Sequence, residues 1–282
     1  MEAHWSNSGL LLTQQKYIQD LLVKANMHSA SPVSTPSCPQ TKLMIADGSS
    51  FVDATQFRSI VGGLQYLSFT RPDISYSVNK VSQYMHQPTE KHWQAVKRIL
   101  RYLRSTLTHG LLLHRSNTTQ VSAYSDSDWA SSLDDRKSTS GFCIFYSGNL
   151  ISWASRKQRT VARSSTEAEY RALSSAVTEL QWVLSLLKEL QRPTRDIPIL
   201  WCDNLSATYL TTTPIFHSRS KHLEIDFHYV RDQVSINMLQ VKYLSSDDQL
   251  ADVLTKPLMK SRFHHLKTKL NIIPYDDQFA GG

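Results

Sequence analysis

The stretch YSDSDWA, Tyr124 to Ala130, places Asp126 and Asp128 two residues apart beside a tryptophan. They close an alternating run that begins at Val121. In a strand, side chains alternate faces and the chain rises about 3.3 Å per residue, so both carboxylates point one way, roughly 7 Å apart. Like charges that close repel unless water or a cation stands between them. Two local readings stand: solvated turn acids at a strand end, or ligands of a metal ion.

Three further acids fall where such a site would need them. In SSTEAEYRAL, Ser164 and Glu167 have the spacing of a capping box, which gives Glu167 a structural role. Glu169 instead shares a helix face with Leu173, Ala176, Leu180 and Leu187. A carboxylate on a buried face requires a partner, a proton or a metal. Asp203 ends the apolar run IPILWC, at the strand end where α/β sheets place their sites. Asp203 or Asn204 would equally serve as N-cap of the next helix. Asp252 lies in SSDDQLADVLTK. There Ser246 and Gln249 read as a second capping box, with Asp247 and Asp248 in the first turn. Asp252 sits deeper, with an i, i+4 pair to Lys256 as the alternative to a metal role. A pocket built from Asp126 or Asp128 with Glu169, Asp203 and Asp252 is an all-oxygen, hard-ligand set suited to Mg²⁺ or Mn²⁺. Two such ions about 4 Å apart serve phosphodiester hydrolysis.

The pattern predicts the elements that must carry these acids. Gln120–Asp126, Gly141–Tyr146 and Leu150–Ser155 read as strands, the last two joined by the hairpin turn Ser147-Gly148-Asn149. A long helix follows over Ser164–Leu190. Then come a strand (Ile197–Cys202), a short helix (Leu205–Leu210), a helix (Lys221–Val234), a strand (Met238–Leu244) and a last helix opening at Asp247–Leu254. Three antiparallel strands followed by alternating helices and strands imply a mixed sheet covered by helices. Upstream, residues 9–27 read as a strand and a helix. Residues 28–50, with Pro32, Pro36 and Pro39, read as a long loop, and 55–87 and 88–106 as two helices. The boundary between domains is expected near Arg115–Thr119.

Bulk properties agree. The 282 residues are 40% apolar and 20% charged, which suits two soluble domains. No apolar run approaches the ~20 residues that span a bilayer, so no membrane partner is expected. The start lacks the pattern of a secretory signal. Three distant cysteines, Cys38, Cys143 and Cys202, exclude a disulfide framework and fit a reducing, intracellular setting, cytoplasm or nucleus. The net charge of +7 favours an anionic partner where bases cluster. They cluster twice. Lys97, Arg98, Arg101 and Arg104 lie on the helix capped by Thr89, and Arg156, Lys157, Arg159 and Arg163 fall in RKQRTVAR, expected as a loop. Either cluster alone is an ordinary solvated face. Together, flanking an acidic site, they point to phosphate-backbone binding.

Residues 120–258 resemble the ribonuclease H domain of copia-type long-terminal-repeat retrotransposon Pol polyproteins. The resemblance rests on YSDSDWA, DDRKSTSGFCIF, ISWASRKQRTVARSSTEAEYRAL, LWCDNLSA, KHLEIDFHYVRD and QLADVLTKPL, in that order. It implies a ribonuclease H-like α/β fold that hydrolyses the RNA strand of RNA–DNA hybrids with two Mg²⁺ or Mn²⁺ ions. It assigns the metal acids to Asp126, Glu169, Asp203 and Asp252, and leaves Asp128 as a neighbour. Residues 9–115 are similar to the end of the reverse transcriptase and the connecting region, in GLLLTQQKYIQDLL, FRSIVGGLQYLSFTRPDISYSVNKVSQYM and HWQAVKRILRYLRSTLTHGL. The domains expected are thus a smaller, mostly helical region over 1–118, a ribonuclease H-like domain over 119–258 and a C-terminal tail over 259–282, with other parts of a Pol polyprotein as partners. The polymerase signature Y-x-D-D is absent with its apolar flanks, since Tyr275-Asp276-Asp277 follows Pro274 in a polar tail, so polymerase activity is not expected. Many ribonucleases H carry a histidine on the loop before the last acid, and Tyr243–Asp252 has none. The alternative to an enzyme is a non-catalytic, nucleic-acid-binding remnant of such an element.

Overall fold

The computed structural model describes residues 1–275 apart from Asp47, Val52 and 214–223. In chain order the elements are β1 (Glu2–Ser6), β2 (Gly9–Thr13), α1 (Gln15–Lys24), α2 (Ala54–Leu67), α3 (Ser75–Ser82), α4 (Glu90–Ser105), β3 (His109–His114), β4 (Val121–Asp128), β5 (Thr139–Tyr146), β6 (Asn149–Lys157), α5 (Ser165–Glu189), β7 (Ile199–Cys202), α6 (Leu205–Leu210), α7 (Glu224–Ser235), β8 (Gln240–Tyr243), α8 (Lys260–Lys269) and β9 (Ile272–Pro274). They form two compact units, Ser116–Thr255 and a discontinuous one made of Met1–Arg115 with Lys256–Gly282.

The Ser116–Thr255 unit is built on a five-stranded mixed sheet of order β6-β5-β4-β7-β8. β4, β5 and β6 pair antiparallel, and β4, β7 and β8 run parallel. The parallel pair β4–β7 requires a crossover, and α5 is on that path. α5 packs along β4 and β5. Its Leu173, Ala176, Val177 and Leu180 are buried with Val121, Ala123, Ile144 and Leu200 of the sheet. Each such large side chain contributes about 1.5–3 kcal/mol of apolar burial. Ser164 caps the helix by accepting from the Glu167 backbone N–H at 3.1 Å. Half of the expected box is absent, because the Glu167 carboxylate accepts from the Arg163 N–H and pairs with Arg171. The first three residues of the helix expected from Lys221 lie outside the described residues.

Two expectations fail here. The helix expected over Asp247–Leu254 is a pair of short 3-10 turns, Ser246–Asp248 and Leu250–Leu254. Gln249 between them is extended, at φ −69° and ψ 103°, and its side chain caps the second turn by accepting from the Ala251 N–H. The expected Ser246–Gln249 box therefore does not form, and Ser245 caps the first turn instead. The strand expected over Gln120–Asp126 also runs two residues further: β4 ends at Asp128.

In the discontinuous unit, α1–α4 and α8 accompany a four-stranded antiparallel sheet of order β1-β2-β3-β9. β1 and β3 are not foreseen by the sequence pattern. The helix expected over 55–87 breaks after Leu67, where Pro72 opens a 3-10 turn. Proline lacks the N–H a helix interior needs and pushes the preceding residue out of the helical region, and Arg71 is found at φ −127°, ψ 67°. Arg71 is fully buried and grips both Asp73 carboxylate oxygens, at 3.0 and 2.8 Å. The Tyr102 hydroxyl adds a 2.5 Å bond to Asp73. Burial raises the Asp73 carboxyl, but Arg71 and Tyr102 outweigh it and hold Asp73 below the usual carboxylate range. Residues 259–282, expected as a tail, instead supply α8 and β9. Phe263, Leu266, Leu270 and Ile272 are buried, and β9 pairs with β3.

Candidate metal centre

The carboxylates of Asp126, Asp203 and Asp252 offer one oxygen each within 4.8 Å of one another. Asp126 comes from the central strand, Asp203 from the end of its parallel neighbour, and Asp252 from the 3-10 turn lying against β4 and β5. Glu169, in the second turn of α5, joins Asp203 and the Cys202 thiol in a second group under the same limit. Asp203 is common to both, so the fold gathers all four expected acids around it. Asp126, Glu169 and Asp252 are buried, and Asp203 is half-buried. Burial pushes the Cys202 thiol up to about 12, and the charges of Glu169 and Asp203 add to the shift.

Local sequence explains the placement. Asn204, not Asp203, is the N-cap of α6, accepting from the Ala207 N–H at 2.9 Å, so Asp203 is released to the site. Asp128 is occupied elsewhere, since its carboxylate accepts from the Thr139 backbone N–H across the strand pair. Gly141 stands directly opposite Asp126 in the β4–β5 register. A Cβ there would lie 2.7 Å from Thr255 Cγ2 and 2.8 Å from Leu254 Cβ. The bare backbone at 141 thus lets the Asp252 turn settle onto the sheet beside Asp126.

Three residues missed by the sequence reading hold the acids in place. Gln249 is fully buried, and its Nε2 donates to the Ser125 carbonyl at 2.9 Å and to Asp203 Oδ1 at 3.4 Å. Ser246 Oγ donates to Asp203 Oδ2 at 2.9 Å. Thr255 Oγ1 donates to Asp126 Oδ2. A polar residue three ahead of the last acid was the available signal for Gln249, and the capping reading absorbed it. The donor set is oxygen-rich and anionic, which fits Mg²⁺ or Mn²⁺ by ligand chemistry.

The basic residues divide. Arg156 and Lys157 end β6, not a loop, while Arg159 and Arg163 follow it. Arg156, Lys157 and Arg159 line one shallow pocket with Arg171, a base the sequence reading passed over. Lys157 also pairs with Asp135 at 2.8 Å. Burial raises the Asp135 carboxyl, yet Lys157, Ser132 and the Lys137 backbone hold it well below the usual range. Gln158 ties this loop to the helix start through Ala168 O at 2.9 Å. Trp129, 51% exposed, donates its indole N–H to Ala162 O at 3.1 Å and so is held against the same loop. On α4 the picture differs from a solvated face. Arg98 donates to Thr35 Oγ1 at 2.9 Å, Arg101 to Ser31 O at 2.6 Å, and Arg104 to Ala30 O. These three guanidinium groups anchor the proline-rich segment, and Lys97 is half-buried beside them. No helix among the described residues is long and apolar enough to cross a membrane.

Comparison with known proteins gives consistent relatives. The chain is 50% identical over 272 residues to the retrovirus-related Pol polyprotein from transposon RE1 of Arabidopsis thaliana, covering 96% of this chain and 19% of that protein. It is 49% identical over 281 residues to the corresponding polyprotein from transposon RE2 of the same plant, covering 100% of this chain and again 19% of the relative. The chain thus spans about a fifth of these relatives. No family model matches. Among solved structures, LC11-RNase H1 from compost overlays 49% of this chain and 94% of its own, at 16% identity and a TM-score of 0.39.

Proposed function

Because the chain belongs to the retrovirus-related Pol polyproteins of copia-type transposons, we propose that its Ser116–Thr255 unit is a ribonuclease H that hydrolyses the RNA strand of RNA–DNA hybrids. The observation that carries this is the convergence of Asp126, Asp203 and Asp252, from three distant segments, to within 4.8 Å. Asp126, Glu169, Asp203 and Asp252 would hold two Mg²⁺ or Mn²⁺ ions. Such ions, when bound, activate water and stabilise the leaving oxygen. The chain's own residues do the rest. Ser246 and Gln249 fix the two Asp203 oxygens, and Thr255 orients Asp126, so the acids meet a cation without reorganising. Arg156, Arg159, Arg163 and Arg171 meet backbone phosphates, with Lys157 shared with Asp135. Trp129 offers a tethered aromatic face beside that loop. The segment before Asp252 holds Ser246 and Gln249 in place of an imidazole, so it donates hydrogen bonds without titrating near neutrality. The reaction belongs inside the cell, in cytoplasm or nucleus, alongside other parts of the Pol polyprotein.

The test uses the whole chain on a labelled hybrid. Cleavage is expected with Mg²⁺ or Mn²⁺ and none in EDTA, and millimolar Mg²⁺ should raise the melting temperature by linkage. Asp203→Asn removes charge but keeps size. It should stay folded, bind the hybrid in EDTA at least as well as the parent, and lose cleavage by about 10³-fold or more. Asp128→Asn keeps an oxygen for the Thr139 N–H and should retain most activity. Cleavage by Asp203→Asn at the parental rate would sink the carboxylate mechanism. A parent that binds hybrid but never cuts it would leave a binding remnant.

A further inference from the structure

The discontinuous unit holds a cavity that the nuclease reading does not use. It has a volume of about 320 Å³ and lies between the proline-rich segment, α3 and α4. Lys42, Lys80, Lys91, Arg98 and Arg101 line it, and no Asp or Glu is among its described lining residues. A cleft whose described charged lining is all basic concentrates counter-ions of the other sign. Thr41, Tyr76 and Ser77, each carrying a hydroxyl, also line it. Arg98 adds a sharper sign. Its Nη2 is used on Thr35, yet its Nε–H is enclosed and meets no acceptor. An enclosed guanidinium donor left without an acceptor is costly, and an anion in the cavity is the acceptor the site lacks.

We propose that this cavity is a phosphate site, taking the phosphate groups of a nucleotide or of a nucleic-acid strand. The chemistry selects phosphate over carboxylate or halide. A multivalent tetrahedral oxyanion has enough acceptors for an arginine edge, several ammonium groups and the hydroxyls at once. The volume lies at the lower end of small-ligand pockets, which suits one or two phosphoryl groups with part of a nucleoside. Tyr76, also in the lining, is the aromatic residue a base could stack on.

The experiment measures binding and melting of the full chain in EDTA, so that the carboxylate centre holds no metal. The probes are inorganic phosphate, pyrophosphate, AMP, ATP and a short single-stranded oligonucleotide, each against sodium chloride at equal ionic strength. Pyrophosphate or ATP should raise the melting temperature and bind saturably. The double substitution Lys42→Glu/Lys91→Glu, at two exposed positions, should weaken that binding by about tenfold or more. Should that variant melt early, Lys42→Gln is measured instead, with a few-fold loss expected. Variant-sensitive binding of the small probes assigns the site to a nucleotide. Variant-sensitive binding of the oligonucleotide alone assigns it to a strand. If no probe exceeds the chloride control, or if the charge variants bind as tightly as the parent, the proposal fails. Hybrid cleavage tests the nuclease reading and the Lys42 and Lys91 variants test the cavity, so the two readings fail separately.

Discussion

Gly141→Ala tests the seating of the Asp252 turn on the sheet. The new methyl carbon would stand 2.7 Å from Thr255 Cγ2, 2.8 Å from Leu254 Cβ and 3.3 Å from the Leu254 carbonyl carbon. Ordinary carbon contacts are ~3.5–4.0 Å, so the turn must lift by about 1 Å. Leu254 and Thr255 are fully buried, with nowhere to collapse. Overpacking of this kind costs roughly 1–3 kcal/mol. For a unit of this size that lowers the melting temperature by about 3–12 °C. The lift also moves Thr255 off Asp126 and carries Asp252 with it. A misplacement of about 1 Å can cost ~10²-fold in rate. The assay pairs thermal melts in EDTA with hybrid cleavage at saturating Mg²⁺. Gly62→Ala is the control: Gly62 is exposed on α2, and its added Cβ meets nothing within 4 Å, so it should stabilise by about 0.5–1 kcal/mol. If Gly141→Ala melts and cleaves like the parent, the close approach of the turn to β5 is not what places Asp252.

Gln249→Ala removes the bridge between β4, Asp203 and the Asp252 turn. It should lower the apparent affinity for Mg²⁺ by about 10–100-fold, read as a rightward shift of the Mg²⁺ dependence of cleavage, and an unshifted curve would make Gln249 merely a turn residue. His109 yields a pH prediction. Burial, then the charges of Lys267 and Arg71, depress the imidazole to about 4. The unfolded chain therefore binds the proton first, and stability contributed above the ordinary value near 6.5 is lost as pH falls from there towards 4. His264, lowered by burial and by Lys267 and Lys260, adds to the same slope. Denaturant midpoints between those pH values should fall less steeply in His109→Phe, and parallel slopes in parent and variant would refute the assignment.

What was legible in the sequence was periodicity and end position. Glu169 stood out because its helix neighbours are apolar, and Asp203 because a fully apolar strand stops at it; both lie in the cluster. What was not legible depends on contacts between distant segments. Gln249 has the look of a helix cap locally, and only the Ser125 carbonyl, far away in sequence, reveals its bridging position. Arg98, Arg101 and Arg104 have helix-surface spacing whether or not anything covers them, and here each donates to residues 30–35, Arg101 and Arg104 to carbonyls and Arg98 to a hydroxyl. The break at Pro72 was readable from proline chemistry, but the apolar pattern carried straight across it. The strand Ile272–Pro274 is too short to announce itself and exists because β3 supplies its partner.

The interrupted unit has a consequence for how the chain is made. Its sheet closes only when β9 pairs with β3, and every residue of Ser116–Thr255 is synthesised between those two strands. On the ribosome, the Ser116–Thr255 unit is therefore fully synthesised while the discontinuous unit still lacks an edge strand and the helix that buries Phe263 and Leu266. The inner unit must then fold as an insert whose termini stay available for the outer one to finish. Dividing the gene between Arg115 and Ser116 would strand α8 and β9 on the wrong fragment, with their apolar faces uncovered. Expression of the inner unit alone is better ended at Thr255.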